Sequence, residues 1–287
     1  MYKKIMRNLG LFSVKHFHPF LMPLKEVLIK SSIKTLYEIY VGKMVLLSLI
    51  GFFATFVSVI ALLLFLGSEF LLALVTSIAV SLSVFILILI VMHSYPFRLL
   101  RMKKTSIENN MPFAINHMSA ISISGIPPFS IFKILSIIKE YGEVSRELAM
   151  VTRNVEVFGM DVNTSIKNVA RRTPSNEFRH FLLGISSTIE TGGSLVKYFE
   201  SSAKEAIFDY KLKRQSYVQS LSTYADIYTA VLIAAPLFFV SVLSIMAIVG
   251  GPVMGFSIQT LVKIGIYLLI PLMNIFFILF IHYTQPG

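Results

Sequence analysis

The polar side chains of this sequence are not spaced to form a catalytic centre. Its six histidines, His16, His18, His93, His117, His180 and His282, are scattered, and no HExxH occurs. His16 and His18 could pair as ligands, but no nearby carboxylate completes a set. The chain has no cysteine, which excludes disulfides, thiolate metal sites and cysteine nucleophiles. A phosphate cradle needs GxxxxGK[ST], and no glycine here opens that pattern. Gly250-Gly251-Pro252 offers a glycine-rich turn, but its proline removes a donor. Gly184-Ile185-Ser186 lacks the second glycine of GxSxG. Intramembrane proteolysis would need paired aspartates inside apolar segments, and the only aspartate near one is Asp226, at its edge. The expectation is a protein with no catalytic residue, no cofactor and no metal.

What remains is mechanical, and the apolar segments define it. Residues 44–66, 70–92, 227–249 and roughly 258–281 form long apolar runs, in two pairs. Each is long enough to cross a hydrocarbon core as a helix, which takes about 20 residues. The first three carry no charge; in the fourth, Lys263 stands near the start, with Pro271 and Asn274 inside. The composition is 55% hydrophobic with a mean hydropathy of +0.74, too apolar for an ordinary soluble domain. No alternation of polar residues suggests a barrel. The first run is too long for a signal-peptide core and is expected to stay in the mature protein.

Charge sets the expected orientation. Residues 1–43 hold eight Lys or Arg and two acids, and residues 94–215 hold seventeen and eleven. The links at 67–69 and around 250–262 carry no basic residue. By the positive-inside rule both termini and the central segment face the cytoplasm of a multi-pass protein in the cell membrane. The formal net charge of +11 then reflects basic residues meeting anionic lipid, with no nucleic acid expected. Four parts follow: a basic segment 1–43, a membrane hairpin 44–93, a polar domain 94–215, and a helix extension with a second hairpin, 216–287. In the first part Leu24, Leu28, Leu36 and Ile39 could share one face of a helix lying on the membrane.

The polar domain reads as six helices. The first starts at Pro112 and stops at Gly125; the second runs from Pro127-Pro128 to about Gly142. The third, Glu143 to Phe158, places Leu148, Val151, Val155 and Phe158 on one stripe and closes at Gly159. The fourth begins at an Asp161 or Asn163 cap and turns Val162, Ile166, Val169 and Ala170 inward. Thr173-Pro174 opens the fifth, which spaces Phe178, Phe181, Leu182, Ile185 and Ile189 helically and ends at Gly192-Gly193. The sixth starts at Ser194, meets no breaker before Pro236, and runs straight into the third membrane helix. Gly125, Gly159 and Gly192 repeat at 34 and 33 residues, the rhythm of stacked helical hairpins. The expected fold is an all-α integral membrane protein, with four transmembrane helices in two hairpins flanking a cytoplasmic six-helix bundle. In the membrane, Pro236 and Pro271 each remove a donor and can kink their helices, while Asn274 can bond a neighbouring helix.

The stretch 156–206 resembles the F domain of type II secretion systems. That domain is shared by membrane platform proteins of type II secretion, type IV pili, Tad pili, archaeal pili and archaella. The resemblance rests on Gly159, Arg172-Thr173-Pro174-Ser175, and Gly192-Gly193 followed by Leu195 and Tyr198-Phe199. Met111-Pro112 and Ser124-Gly125-Ile126-Pro127 resemble the family's opening hairpin, and the likeness extends over about 98–283. Many platform proteins carry two such domains; this chain has one, closer to the Tad (TadC-like) or archaeal type. The resemblance implies a non-enzymatic role. A hexameric cytoplasmic ATPase docks on the domain, pilin-like helices are lifted from the bilayer, and the chain pairs with itself or with a second platform subunit. Docking is expected at hairpin tips distal to the membrane. Lys167, Arg171, Arg172 and Arg179 are the candidates, with Arg171 and Arg172 first, and Glu140, Glu143, Glu156 and Glu190 as a second set. Asp226, Pro236, Pro271 and Asn274 are the candidate pilin-contacting groove. The alternatives are a permease subunit of a transporter, an archaellum platform protein, and a membrane receptor or scaffold.

Overall fold

A computed structural model describes residues 6–7, 10–11, 14, 18–31, 33, 35–67, 69–249 and 257–284. Lys3, Lys4, His16 and Gly250-Gly251-Pro252 lie outside them. Among the described residues every regular element is a helix. Among the described residues four helices are long and apolar enough to cross a membrane: Tyr37–Phe65, Phe70–Ser122, Leu195–Ile248 and Ile258–Ile281. The chain divides into two compact units, Met1–Ala206 and Ile207–Gly287.

The first unit opens with α1 (His18–Lys30), followed by the hairpin of α2 (Tyr37–Phe65) and α3 (Phe70–Ser122). Leu21, Leu24 and Leu28 of α1 are buried against Tyr40, Val41 and Met44 of α2, with Leu89, Met92 and Phe97 of α3 beside them. The Tyr37 hydroxyl donates to the Leu21 carbonyl at 3.0 Å, and the Tyr40 hydroxyl to the Met92 carbonyl at 2.8 Å. The apolar face of α1 is thus spent on the ends of α2 and α3, and Leu36 stands outside it, exposed.

α3 runs unbroken for 53 residues through Pro96 and Pro112. This departs from a helix starting at Pro112. A proline inside a helix costs about 3 kcal/mol, but Pro112 is buried between Met111 and Ala114 on the packed face, and that burial offsets the lost hydrogen bond. The second membrane helix and the first helix of the bundle are therefore one rod.

Five further elements complete the bundle: α4 (Pro128–Ser136), a 3₁₀ turn (Lys139–Tyr141), α5 (Glu143–Glu156), α6 (Val162–Arg172) and α7 (Asn176–Glu190). α8 (Leu195–Tyr228) adds Phe199, Ala203 and Ala206 to the same core. Phe132, Phe178, Phe199, Ile107, Met118, Leu148, Ile166 and Leu182 are all fully buried there. Gly142 is required where it stands: its φ is +56°, and a Cβ would lie 2.8 Å from the Ser106 hydroxyl of α3.

Asp161 caps α6 as expected, accepting from the backbone N–H groups of Asn163 and Thr164 at 3.0 and 3.1 Å. Two local readings shift. Ser175 caps α7, its hydroxyl accepting from the Phe178 N–H, whereas Thr173 ends α6 with extended backbone. Phe158 is exposed because α5 ends at Glu156, two residues before that ring, so the helical stripe does not reach it.

The second unit holds residues 207–228 of α8, a π-helical turn (Thr229–Ala234), α9 (Ala235–Val249), α10 (Ile258–Ile264), a second π turn (Gly265–Leu269) and α11 (Ile270–Thr284). The helical run continues from α8 into α9, but its hydrogen-bond pattern changes to the π type at Thr229, before Pro236. Tyr224 and Tyr228 pack their rings on Phe280 and Phe277.

Phe178 tests where the bundle's stability resides, since its ring is fully buried among α7, α6 and α8. Phe178→Ala is expected to cost about 3–5 kcal/mol. Thermal unfolding of the detergent-solubilised protein followed by circular dichroism checks this, and an unshifted midpoint contradicts it.

Candidate functional site

α3 carries a buried stripe of Lys103, Ile107, Met111, Ala114, Ile115 and Met118. Positions three and four apart share one helical face, so Lys103 falls among residues bound for the core. Its Nζ stands 2.5 Å from Oε1 of Glu147 on α5, with side-chain exposures of 6% and 0%. The same ammonium donates to the Lys30 carbonyl at the end of α1, at 3.3 Å. One buried cation thus joins the basic N-terminal segment, the membrane-crossing rod and the bundle. Beyond Lys103, neither Glu147 oxygen has a hydrogen-bond partner among the described residues. Burial pushes the Glu147 carboxyl above the usual carboxylate range; Lys103 pulls it back, and burial wins.

The hairpin tips lie at the opposite end of the bundle. α4 runs away from the end of α3, α5 returns, and α6 and α7 repeat the path, which groups the turns at Gly125, Gly159 and Gly192. All three glycines have positive φ, at 72°, 63° and 66°. Gly193 completes the Gly192 turn, its N–H donating to the Thr188 carbonyl at 2.9 Å. Glu156 and Glu190 stand at this end. Glu156 pairs with Lys133 at 2.7 Å, and Glu190 with Lys167 at 2.5 Å. Hydrogen bonds from Lys167 and Asn163 hold the Glu190 carboxyl below its ordinary value. Exposed Ile123, Val157 and Phe158 share the tips.

Arg171, Arg172 and Arg179 do not. They surround the α6–α7 turn, where the Ser175 hydroxyl lies 3.3 Å from Oε1 of Glu108 on α3. That level is about 20 Å nearer the membrane than the end of α3. Arg179 is committed to structure: it donates to the carbonyls of Ala170 and Thr173, closing the end of α6. The distal-tip premise therefore fits Lys167, Glu156 and Glu190 and fails for the three arginines. The lengths of α4, α5 and α6, which no motif prints, decide which turn faces which way.

In the second unit both membrane prolines follow a π turn. The Ala235 N–H bonds to the Ala230 carbonyl just before Pro236, and the Ile270 N–H to the Gly265 carbonyl just before Pro271. Widening the helix by one residue relieves the clash of the proline ring with the preceding turn. Gly265 is buried, and a Cβ there would meet the Phe239 ring at 2.8 Å, so the helices approach closely. Asn274 donates within its own helix, to the Ile270 carbonyl at 2.9 Å. Asp226 is exposed. Among the described residues no cluster of metal-binding side chains occurs.

Sequence reading missed Lys103 and Glu147, although both carry a helical signal. Glu147 lies three residues after Val144 and four before Val151, both buried. Lys103 precedes Ile107 and Met111 at the same spacing. A charge embedded in an apolar stripe marks a buried pair when two such stripes face one another.

Comparison with known proteins agrees with the resemblance. Residues 114–243 match the model of the family described as Type II secretion system (T2SS), protein F. An uncharacterized protein of Methanocaldococcus jannaschii is 26% identical over 195 residues, 67% of this chain and 33% of that protein. Flagella accessory protein J of the same organism is 24% identical over 145 residues, 50% of this chain and 26% of its own length. Flagella accessory protein J of Methanococcus voltae is 22% identical over 175 residues, 61% and 30% of the two chains. This chain thus spans about a third or less of the length of these relatives. No solved structure matches it.

Removing one partner of a buried ion pair costs about 3–5 kcal/mol, whereas replacing both with apolar groups is often neutral or stabilising. Glu147→Ala and Lys103→Ala are each expected to lose that much, and Lys103→Met with Glu147→Leu to recover it in thermal unfolding. The pH dependence follows from the raised Glu147 value. The contribution of this group is fully present below the ordinary Glu range and is lost as pH rises through the folded-state value. Wild type should weaken over that interval relative to the double variant, and parallel profiles for the two contradict the assignment.

Proposed function

We propose that this chain, whose residues 114–243 carry a type II secretion system protein F domain, is the membrane platform of a pilus- or archaellum-like filament machine. The observation that carries the reading is a helical bundle of that family built directly onto membrane-crossing helices. The likeness to two proteins named Flagella accessory protein J favours the archaellum-like branch of this reading. The role is mechanical, not enzymatic.

In this reading the basic N-terminal segment and the bundle face the cytoplasm, as the positive-inside rule favours. A hexameric secretion-type ATPase docks on the distal tips, around Glu156, Lys167, Glu190 and exposed Phe158. Its motion passes into the membrane along α3 and α8, because a helix with an intact hydrogen-bond ladder transmits displacement along its length. Pilin-like helices meet the α9–α11 hairpin near Pro236, Pro271 and Asn274, where irregular backbone breaks an otherwise smooth apolar surface. Pairing with a second copy or with a second platform subunit is part of the proposal.

Glu156→Lys combined with Glu190→Lys reverses the acidic charge of the tips without touching the core. This variant is expected to abolish co-purification with the cognate ATPase and surface filaments at unchanged membrane levels. Arg171→Glu with Arg172→Glu is expected to keep both. The opposite pattern would place the motor on the α6–α7 turn and overturn the distal assignment.

A further inference from the structure

A cavity of about 430 Å³ lies between the N-terminal segment and the start of α2, lined by Leu11, Val14, Met22, Lys25, Leu36, Tyr37 and Glu38. Small-molecule sites span roughly 300–1,000 Å³, so it has room for a ligand. Its wall is mostly apolar, yet Leu11, Met22 and Leu36 are 47%, 63% and 70% exposed. Water is a poor occupant for such a surface.

Its place in the fold identifies a better one. Glu38 and Tyr37 stand six and seven residues before Met44, where the uncharged run of α2 begins. At 1.5 Å per residue that is about 10 Å from the edge of the hydrocarbon core, in the head-group region. One wall is held rigidly. Gly10 presses on α2 so closely that a Cβ would lie 1.9 Å from the Glu38 carbonyl oxygen, and Gly42 meets Met6 in the same way. The cavity is therefore backed by a fixed helix crossing.

Its charge selects the head group. Lys25 is exposed and makes no ion pair among the described residues, whereas its neighbour Glu26 faces Lys30 at 3.8 Å. The surrounding segment holds eight basic residues against two acids. Glu38 is the acid on the wall and repels a phosphate, which assigns the head group to the Lys25 side. We infer that this cavity binds one membrane phospholipid, its phosphate on Lys25 and a hydrocarbon chain against Met22, Leu11 and Leu36. The lipid would serve as a structural wedge between the N-terminal segment and α2, independent of the platform role.

Purified protein is exchanged into phosphate-free detergent, incubated with anionic or zwitterionic phospholipid, and washed, and bound lipid is read by native mass spectrometry. Wild type is expected to retain phospholipid, the anionic form more strongly. Lys25→Glu should weaken anionic retention about thirtyfold, the factor that corresponds to about 2 kcal/mol when one basic side chain near an anionic surface is lost and an acidic one gained. Met22→Glu, which charges the apolar wall, should reduce retention of both lipids. Both positions are exposed, so neither substitution threatens the fold. Lys197→Glu, on exposed α8, should leave retention unchanged. Equal retention in all variants means only unspecific annular lipid, and retention of inorganic phosphate without lipid means only a phosphate site; either overturns the inference.

Discussion

The polar domain is organised by one face of one helix. α1, α4, the 3₁₀ turn, α5 and α7 all pack on α3, and α6 reaches the core through α5 and α7. That face has two demands on it. Up to about Met92 the helix meets lipid and its surface must be apolar all round; beyond it, the helix has water on one side and a core on the other. The apolar stripe from Ile107 to Met118 meets the second demand while the backbone ladder continues unbroken from the first. An α-helix satisfies its own backbone polar groups in both media, so nothing forces it to end at the membrane surface. The bundle is thereby fixed to the hairpin without a linker.

The buried Lys103–Glu147 pair stands at the membrane-facing end of that stripe, where a solvated charge would be unremarkable and a desolvated one is costly. It adds little net stability over two apolar residues. What it supplies is position: a charge buried at one point tolerates no slippage of α5 along α3, because a shift of one turn strands both ions. The hydrogen bond from Lys103 to the Lys30 carbonyl extends the same register to α1. Such a pin penalises sliding of these helices along one another.

The prolines of the second unit pose the inverse problem. In α3, Pro112 is absorbed because the helix is packed on that side by the bundle. Pro236 and Pro271 lie in apolar helices most of whose residues are exposed, and the chain widens into a π turn before each. The same residue type therefore leaves a rod rigid in one place and irregular in another. The difference lies in what surrounds the ring.

By itself the sequence determined whatever depends on the solvent each residue prefers or on local backbone chemistry. Twenty-residue apolar runs have to cross a membrane, Gly125, Gly159 and Gly192 turn because they tolerate positive φ, and Asp161 caps because its carboxylate reaches two free N–H groups. The F-domain resemblance was legible for the same reason, since it rests on these turns and caps. Tertiary structure alone decided what depends on a second element. Pro112 stays inside a helix because α3 is packed around it, and Ser175 displaces Thr173-Pro174 as a cap because of where α7 must enter the core. The arginines of the α6–α7 turn face the membrane end because the lengths of α4 through α6 bring the chain back there. Lys103 and Glu147 are buried because two stripes meet. A side chain's preference for water is written in its own chemistry, but the partner that replaces that water comes from another part of the chain.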